Sequence, residues 1–361
     1  NNAWREFYVN DAGNQIEKFG CSLEARYLQI FKGDEIEFPE DGYQGEDIKD
    51  LAKEYADLNG DSLVNVSAEE RKKALVDYAL PKNIKKMQAD MEKYKIFYDK
   101  WFFESELHKS GAVKAVVDLL TKKGLTYEKD GAVWYKNKEV LTQKLLKEGK
   151  SQKYIDNLEL KDDVLIRQNG NPTYFTADIA YHKNKFDRGF TTLIDVWGAD
   201  HHGHVMRMKG AMDAIGYDGD KLNVVLMQLV KLVKDGELVR MSKRTGKAIQ
   251  LGDLLDEVPV DSARFLFNTK EANTQMDFDL DLAVSQDNQN PVYYVQYAHA
   301  RICSIFKSLA KEGISPRECT DAELALLTAP EEKELINHLA SYTNEIISAA
   351  KDYDPTKVTR Y

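Results

Sequence analysis

Hydrophobic and polar positions divide this chain into α/β, mixed, α/β and finally all-helical stretches. Trp4 to Val9 alternates as a strand does and runs into the turn-prone Asn10-Asp11-Ala12-Gly13; Phe7 to Gly20 therefore reads as a strand end, a loop and a helix. Gln44 to Tyr55 is helical, Asp57 to Ser67 a polar linker, and Ala68 to Tyr94 a strongly charged helix with Leu75, Tyr78, Ala79 and Leu80 as its apolar side. Phe97 to Glu104 is aromatic and strand-like, and Ala112 to Lys123 is a helix stopped by Gly124. Lys129-Asp130-Gly131 between aromatic runs predicts a hairpin over Tyr127 to Lys136. Val164-Leu165-Ile166 and Thr173-Tyr174-Phe175 flank Asn169-Gly170, a second hairpin signal. Thr192 to Trp197 predicts a buried strand of a parallel sheet, bounded by Gly198, and Val205 to Ile215 a helix ended by Gly216. Near the far end Tyr294, Tyr297, Ala298 and Arg301 share one helical face, and Leu335, Leu339, Tyr342 and Ile346 another. No internal repeat is evident.

Composition narrows the class. The chain has 361 residues, enough for two or more domains, with 30% charged residues and a formal net charge of −10. An RNA-binding face would have to be a local basic patch. No apolar run reaches a membrane-spanning length, so no membrane partner is expected, and a cytoplasmic enzyme is. Cys21, Cys303 and Cys319 are too scattered for a disulfide framework or a zinc site. The chain opens within a βα unit and stops at Tyr361 within a helical pattern, which predicts the central portion of a longer protein.

Chemistry concentrates in three places. Arg240, Lys243, Arg244 and Lys247 share a short loop with Met241, Ser242, Thr245 and Gly246. Such a loop can wrap a polyphosphate, because cationic groups stabilise the charge that builds up in phosphoryl or adenylyl transfer. At Gly198-Ala199-Asp200 a predicted strand passes to a helix, the place where doubly wound sheets bind nucleotides. Gly198 would let an adenosine approach and Asp200 could accept ribose hydroxyls. Tyr174 and Asp178 stand one helical turn apart, so a hydroxyl and a carboxylate converge if a helix begins near Thr173. That pair suits a guanidinium, which carboxylates bind bidentately. Asp200-His201-His202 with His204 admits a rival, a metal-dependent phosphoesterase, but two ligands on one helix make no site and no further aspartate motif appears upstream; no metal site is expected.

Collinear segments carry a resemblance. Tyr8-Val9-Asn10-Asp11-Ala12-Gly13-Asn14-Gln15, Pro172-Thr173-Tyr174-Phe175-Thr176, Asp178-Ile179-Ala180-Tyr181-His182 and Val196-Trp197-Gly198-Ala199-Asp200-His201-His202-Gly203 resemble the arginyl-tRNA synthetase family of class I aminoacyl-tRNA synthetases. So do Met241-Ser242-Lys243-Arg244-Thr245-Gly246, Asp277-Phe278-Asp279-Leu280 and Asn290-Pro291-Val292-Tyr293-Tyr294-Val295-Gln296-Tyr297-Ala298-His299-Ala300-Arg301. The resemblance implies an α/β fold: a doubly wound, Rossmann-like parallel-sheet catalytic domain over 1–275, its N-terminal part missing, with an inserted α+β subdomain at about 76–162. A helical anticodon-binding bundle would begin over 276–361.

The implied activity is ATP-dependent formation of arginyl-adenylate and transfer to the 3′ end of tRNA(Arg). Mg²⁺ would travel with ATP rather than in a protein cage. The implied catalytic residues are Lys243, Ser242 and Met241. ATP would be bound by Gly198, Asp200, His201 and Lys243, arginine by Asn10, Tyr174, Asp178 and His202, and tRNA by Tyr297 and Arg301. A monomer is expected. The basic residues Lys144, Lys147, Lys150 and Lys153 read as a solvated helix face rather than a tRNA contact.

Arg240 and Arg244 depart from the general class I loop, where lysine and serine stand, but are compatible with arginyl members. The His-x-Gly-His element of the class is absent from the chain and would lie upstream of Asn1, so one side of the active site should be lacking. Beside the ligase and the phosphoesterase stands a third reading, a synthetase-like module that binds arginine or tRNA without ligating them.

Overall fold

The computed structural model describes residues 3–239 and 249–361, the Asp34 side chain excepted. The Met241-Ser242-Lys243 loop lies outside the described residues. By its contacts the chain divides into two compact units.

The first unit opens with β1 (Glu6–Val9), then α1 (Asn14–Lys32), α2 (Glu46–Asn59) and α3 (Ala68–Lys93). The apolar stripe of α1 (Phe19, Leu23, Tyr27, Leu28) packs with Ile48, Leu51, Ala52 and Ala56 of α2 and with Leu75 and Ala79 of α3. Completely burying side chains such as Leu23 and Leu75 is worth about 1.5–3 kcal/mol each, which holds these charged helices together. Two polar groups inside that core are satisfied: the Tyr27 hydroxyl donates to the Gly60 carbonyl at 2.8 Å, and Arg71 donates to the Leu63 and Val66 carbonyls and pairs with Glu24.

After α3 the chain forms β2 (Lys100–Phe103), α4 (Glu104–Lys109) and α5 (Ala112–Lys122). Strand β2 pairs parallel to β1, with Glu6 opposite Lys100 and Val9 opposite Phe103. The predicted hairpin is β3 (Thr126–Lys129) with β4 (Ala132–Tyr135); its turn residues Asp130 and Gly131 both have positive φ (53° and 73°), as the tight turn requires. Then come α6 (Asn137–Lys147), α7 (Gln152–Asp156), β5 (Asp163–Ile166), α8 (Tyr174–Asp187), β6 (Leu193–Gly198), α9 (His202–Ile215) and β7 (Leu222–Met227). Strand β5 joins β4 antiparallel, and β6 pairs with β7.

Two expectations need correction here. The lysine stripe is not one helix face: Gly149, at φ 80°, separates α6 from α7. Lys144 is not solvated either, because it pairs with Asp213 of α9 at 2.6 Å. Strand β6 is buried on alternate residues only. Leu193 and Asp195 are inside, whereas Ile194 and Val196 are 50% and 62% exposed. A largely apolar run, here broken by Asp195, cannot tell a strand covered on both faces from one covered on one face.

The second unit holds β8 (Val230–Lys234), β9 (Glu237–Val239), α10 (Leu251–Glu257), α11 (Val260–Phe267), β10 (Met276–Asp279), α12 (Leu280–Val284), α13 (Pro291–Lys311), α14 (Asp321–Leu324), α15 (Pro330–Asp352) and α16 (Thr356–Arg360). Strand β8 lies between β10, its parallel partner, and β9, its antiparallel one. Phe278, Leu266, Ala263, Met276 and Val292 form its core.

Candidate active site

The site is built around the start of α8. Gly170, at φ 80°, closes the turn after β5, and only one residue, Pro172, bridges back to Ile166 before the helix begins. The second arm of the predicted hairpin is thus a helix start. Thr173 Oγ1 donates to the Val164 carbonyl at 2.7 Å and Thr176 Oγ1 to the Leu165 carbonyl at 2.8 Å, so two hydroxyls tie the first turn of α8 to β5. Phe175, Thr176, Ala177 and Ile179 go inward. Tyr174, at the first helical position, stays exposed, and Asp178 follows one turn later as the spacing predicts.

Asp178 is held by a histidine. His204 Nε2 donates to Asp178 Oδ2 at 3.0 Å. Phe175 meets the His204 ring edge-on, and Arg207 lies over the other part of that aromatic, its Cζ 4.9 Å from the ring centre. Arg207 also takes both carboxylate oxygens of Asp163 in β5. Even so, burial pushes the Asp163 carboxyl above its usual range.

The end of β1 faces the same patch. With its amide nitrogen toward Glu104, Asn10 donates to Glu104 Oε2 at 2.8 Å and to the Ala12 carbonyl at 3.2 Å. Asp11 Oδ1 accepts from the Ser105 backbone at 2.8 Å, which fixes the β1 turn against the start of α4. Glu104 is buried, and that burial raises its carboxyl although His108 and Tyr8 stabilise the charged form. The Tyr8 hydroxyl is buried beside Glu104. Burial, with the nearby Glu104 and Asp178 carboxylates, pushes its ionisation far above the ordinary range. Asn10, Tyr8 and Glu104 thus form a polar group that interacts electrostatically with Asp178, which His204 holds. Of these carboxylates, the half-exposed Asp178 is the one offered to a cation rich in N–H donors.

Strand β6 ends at Gly198, a 3₁₀ turn spans Ala199–His201, and α9 starts at His202. Asp200 and His201 are exposed, 3.7 Å apart. His202 is exposed as well, and it is His204, two residues on, that reaches Asp178. Among the described residues no three His, Cys, Asp or Glu side chains gather as a metal site. In the second unit Tyr293 and Tyr297 stack on α13 at 6.1 Å, with the Arg301 guanidinium 5.9 Å from the Tyr297 ring centre.

Sequence reading missed Tyr8, Glu104 and His204. The three histidines were visible, but which of them meets α8 depends on the phase of α9. Glu104 lies 94 residues from Asn10, and no local pattern signals that contact.

Known proteins resemble this chain along its length. Residues 37–303 match the family described as tRNA synthetases class I (R), catalytic domain, and 295–361 match the DALR anticodon binding domain. The chain belongs to the class I tRNA synthetases, on their arginyl branch. An arginine–tRNA ligase of Ruminiclostridium cellulolyticum is 54% identical over all of the chain, and one of Caldanaerobacter subterraneus 55%. The chain spans 61% of the length of each of these relatives. A Campylobacter jejuni crystal structure named for an arginyl-tRNA synthetase superposes with a TM-score of 0.80 at 34% identity, covering 99% of this chain and 73% of that one. The Thermus thermophilus arginyl-tRNA synthetase (TM-score 0.68, 19% identity, 99% of this chain and 65% of that one) shares the fold.

Proposed function

We propose that the protein containing this chain is a cytoplasmic arginine–tRNA ligase acting as a monomer. The observation that carries this reading is the start of α8, where Tyr174 and Asp178 are presented together and Asp178 is already anchored by His204. In the reaction the arginine carboxylate attacks the α-phosphate of ATP and pyrophosphate leaves. The terminal ribose hydroxyl of tRNA(Arg) then attacks the adenylate carbonyl and AMP leaves. ATP arrives with Mg²⁺ bound to its phosphates.

Asn10, Tyr174, Asp178 and His202 would take arginine. Gly198, Asp200 and His201 would take the adenosine. Met241, Ser242 and Lys243 would supply the phosphate loop, with Lys243 neutralising transition-state charge. Tyr297 and Arg301 would meet tRNA, the stacked Tyr293–Tyr297 pair offering a base a flat surface. The catalytic domain is taken as 1–275 with its insertion at about 76–162, and the helical domain as starting at 276. Catalysis by this set is positioning and charge stabilisation with no covalent enzyme intermediate.

The test is arginylation of tRNA by the full-length protein with MgATP. Asp178→Asn should raise the KM for arginine about 30-fold or more, the scale of losing one partner of a buried charge pair, and leave the KM for ATP unchanged. Absence of charging by the wild-type protein, or an unchanged arginine KM in the variant, would refute this assignment.

A further inference from the structure

Asp178 has two carboxylate oxygens, and the structure commits one of them. His204 Nε2 donates to Oδ2 at 3.0 Å. The His204 side chain is only 16% exposed and is wedged edge-on against Phe175, while Asp178 is 34% exposed. A half-buried imidazole packed on an aromatic and fixed to one oxygen sets the plane of the carboxylate, which would otherwise turn freely about its last torsion. The charged groups around His204 are Asp178 on α8, Asp163 on β5, whose carboxyl feels the His204 charge, and Arg207 on its own helix, paired with Asp163. Asp178 in turn acts on Glu104 of α4 and Tyr8 of β1.

We propose that His204 is a positioning residue of the arginine site: it holds Asp178 Oδ2 and so leaves Oδ1 oriented for the guanidinium of the substrate. This rests on the reading of Asp178 as the guanidinium-binding carboxylate.

The experiment measures arginine and ATP KM values for tRNA arginylation by the full-length protein, in wild type, His204→Ala, His204→Gln and Asp178→Asn. His204→Ala removes the donor and should raise the arginine KM about ten-fold, the scale of losing a hydrogen bond to a charged group, with the ATP KM unmoved. His204→Gln keeps an uncharged N–H donor. It should hold the arginine KM near wild type. An unchanged arginine KM in His204→Ala overturns the proposal, as does a parallel rise in both KM values, which would mark a merely structural residue. An arginine KM raised about ten-fold in His204→Gln, which keeps an N–H donor, overturns it too, and this alone decides if the alanine variant does not fold. If Asp178→Asn leaves the arginine KM unmoved, the arginine-site reading itself falls. If Asp178→Asn raises it and His204→Ala does not, only the role of His204 falls.

Discussion

His182 joins α8 to β6: its Nδ1 donates to the Asp178 backbone carbonyl at 2.7 Å, and its Nε2 donates to the carboxylate of Asp195. Lys185 adds an ammonium on the same carboxylate, at 2.8 Å. Burial works to raise the Asp195 carboxyl, but His182 and Lys185 outweigh it and hold the group well below the usual carboxylate range. The helix that carries Asp178 is thus fixed to the strand that leads to Gly198 by a buried pair, and breaking such a pair is costly because it strands the partner charge.

The sign of the pH effect follows. A carboxyl whose folded value is depressed contributes stability that is complete above its unfolded range, near 4, and is lost as pH falls through the folded value. Asp195→Asn should lower unfolding stability by about 3 kcal/mol at neutral pH. Its deficit relative to wild type should shrink as pH drops below about 4. Denaturant unfolding of both proteins at several pH values measures this, and a deficit constant with pH would show that Asp195 is not ionised in the fold.

Lys243 and Lys147 separate loop chemistry from surface charge. Lys243→Ala should reduce the rate of arginylation with little change in arginine KM, since a phosphate-contacting lysine acts on the transition state. Lys147, exposed at the end of α6, should be silent on replacement by alanine. Equal losses from both would remove the loop from catalysis.

Lys144 behaves differently from the neighbours with which it shares a spacing. It ties α6 to α9 through Asp213, and Asp213 also accepts from the Gly219 backbone at 2.7 Å. Lys144→Ala should cost about 1 kcal/mol, and Lys150→Ala nothing measurable, by urea unfolding. Matching losses would return the stripe to a single surface role.

Gly219 tests the same corner by shape. A β-carbon there would stand 2.3 Å from the Lys209 carbonyl oxygen, which belongs to helix backbone and cannot swing aside. Gly219→Ala should therefore destabilise by about 1–3 kcal/mol in the same unfolding experiment. A neutral alanine would mean that α9 and the turn after it move apart at little cost.

What the sequence determined by itself was local. The Asp130-Gly131 turn and the stop of α9 at Gly216 are set by backbone preferences within a few residues, and they are legible there; the start of α8 at Tyr174 is hidden behind a hairpin signal. The Tyr174–Asp178 pair is legible as well, because a helical turn brings it together wherever the helix lies. The tertiary structure alone decided which side chains complete that pair. Asn10 meets Glu104 across 94 residues, His204 instead of His202 faces Asp178, and Lys144 leaves its apparent stripe for Asp213. It also decided that β6 is covered on one face only, leaving Ile194 and Val196 exposed. Contacts of this kind depend on helix phase and on which elements pack, and composition is blind to both, since the same histidine one residue along the helix turns about 100° away.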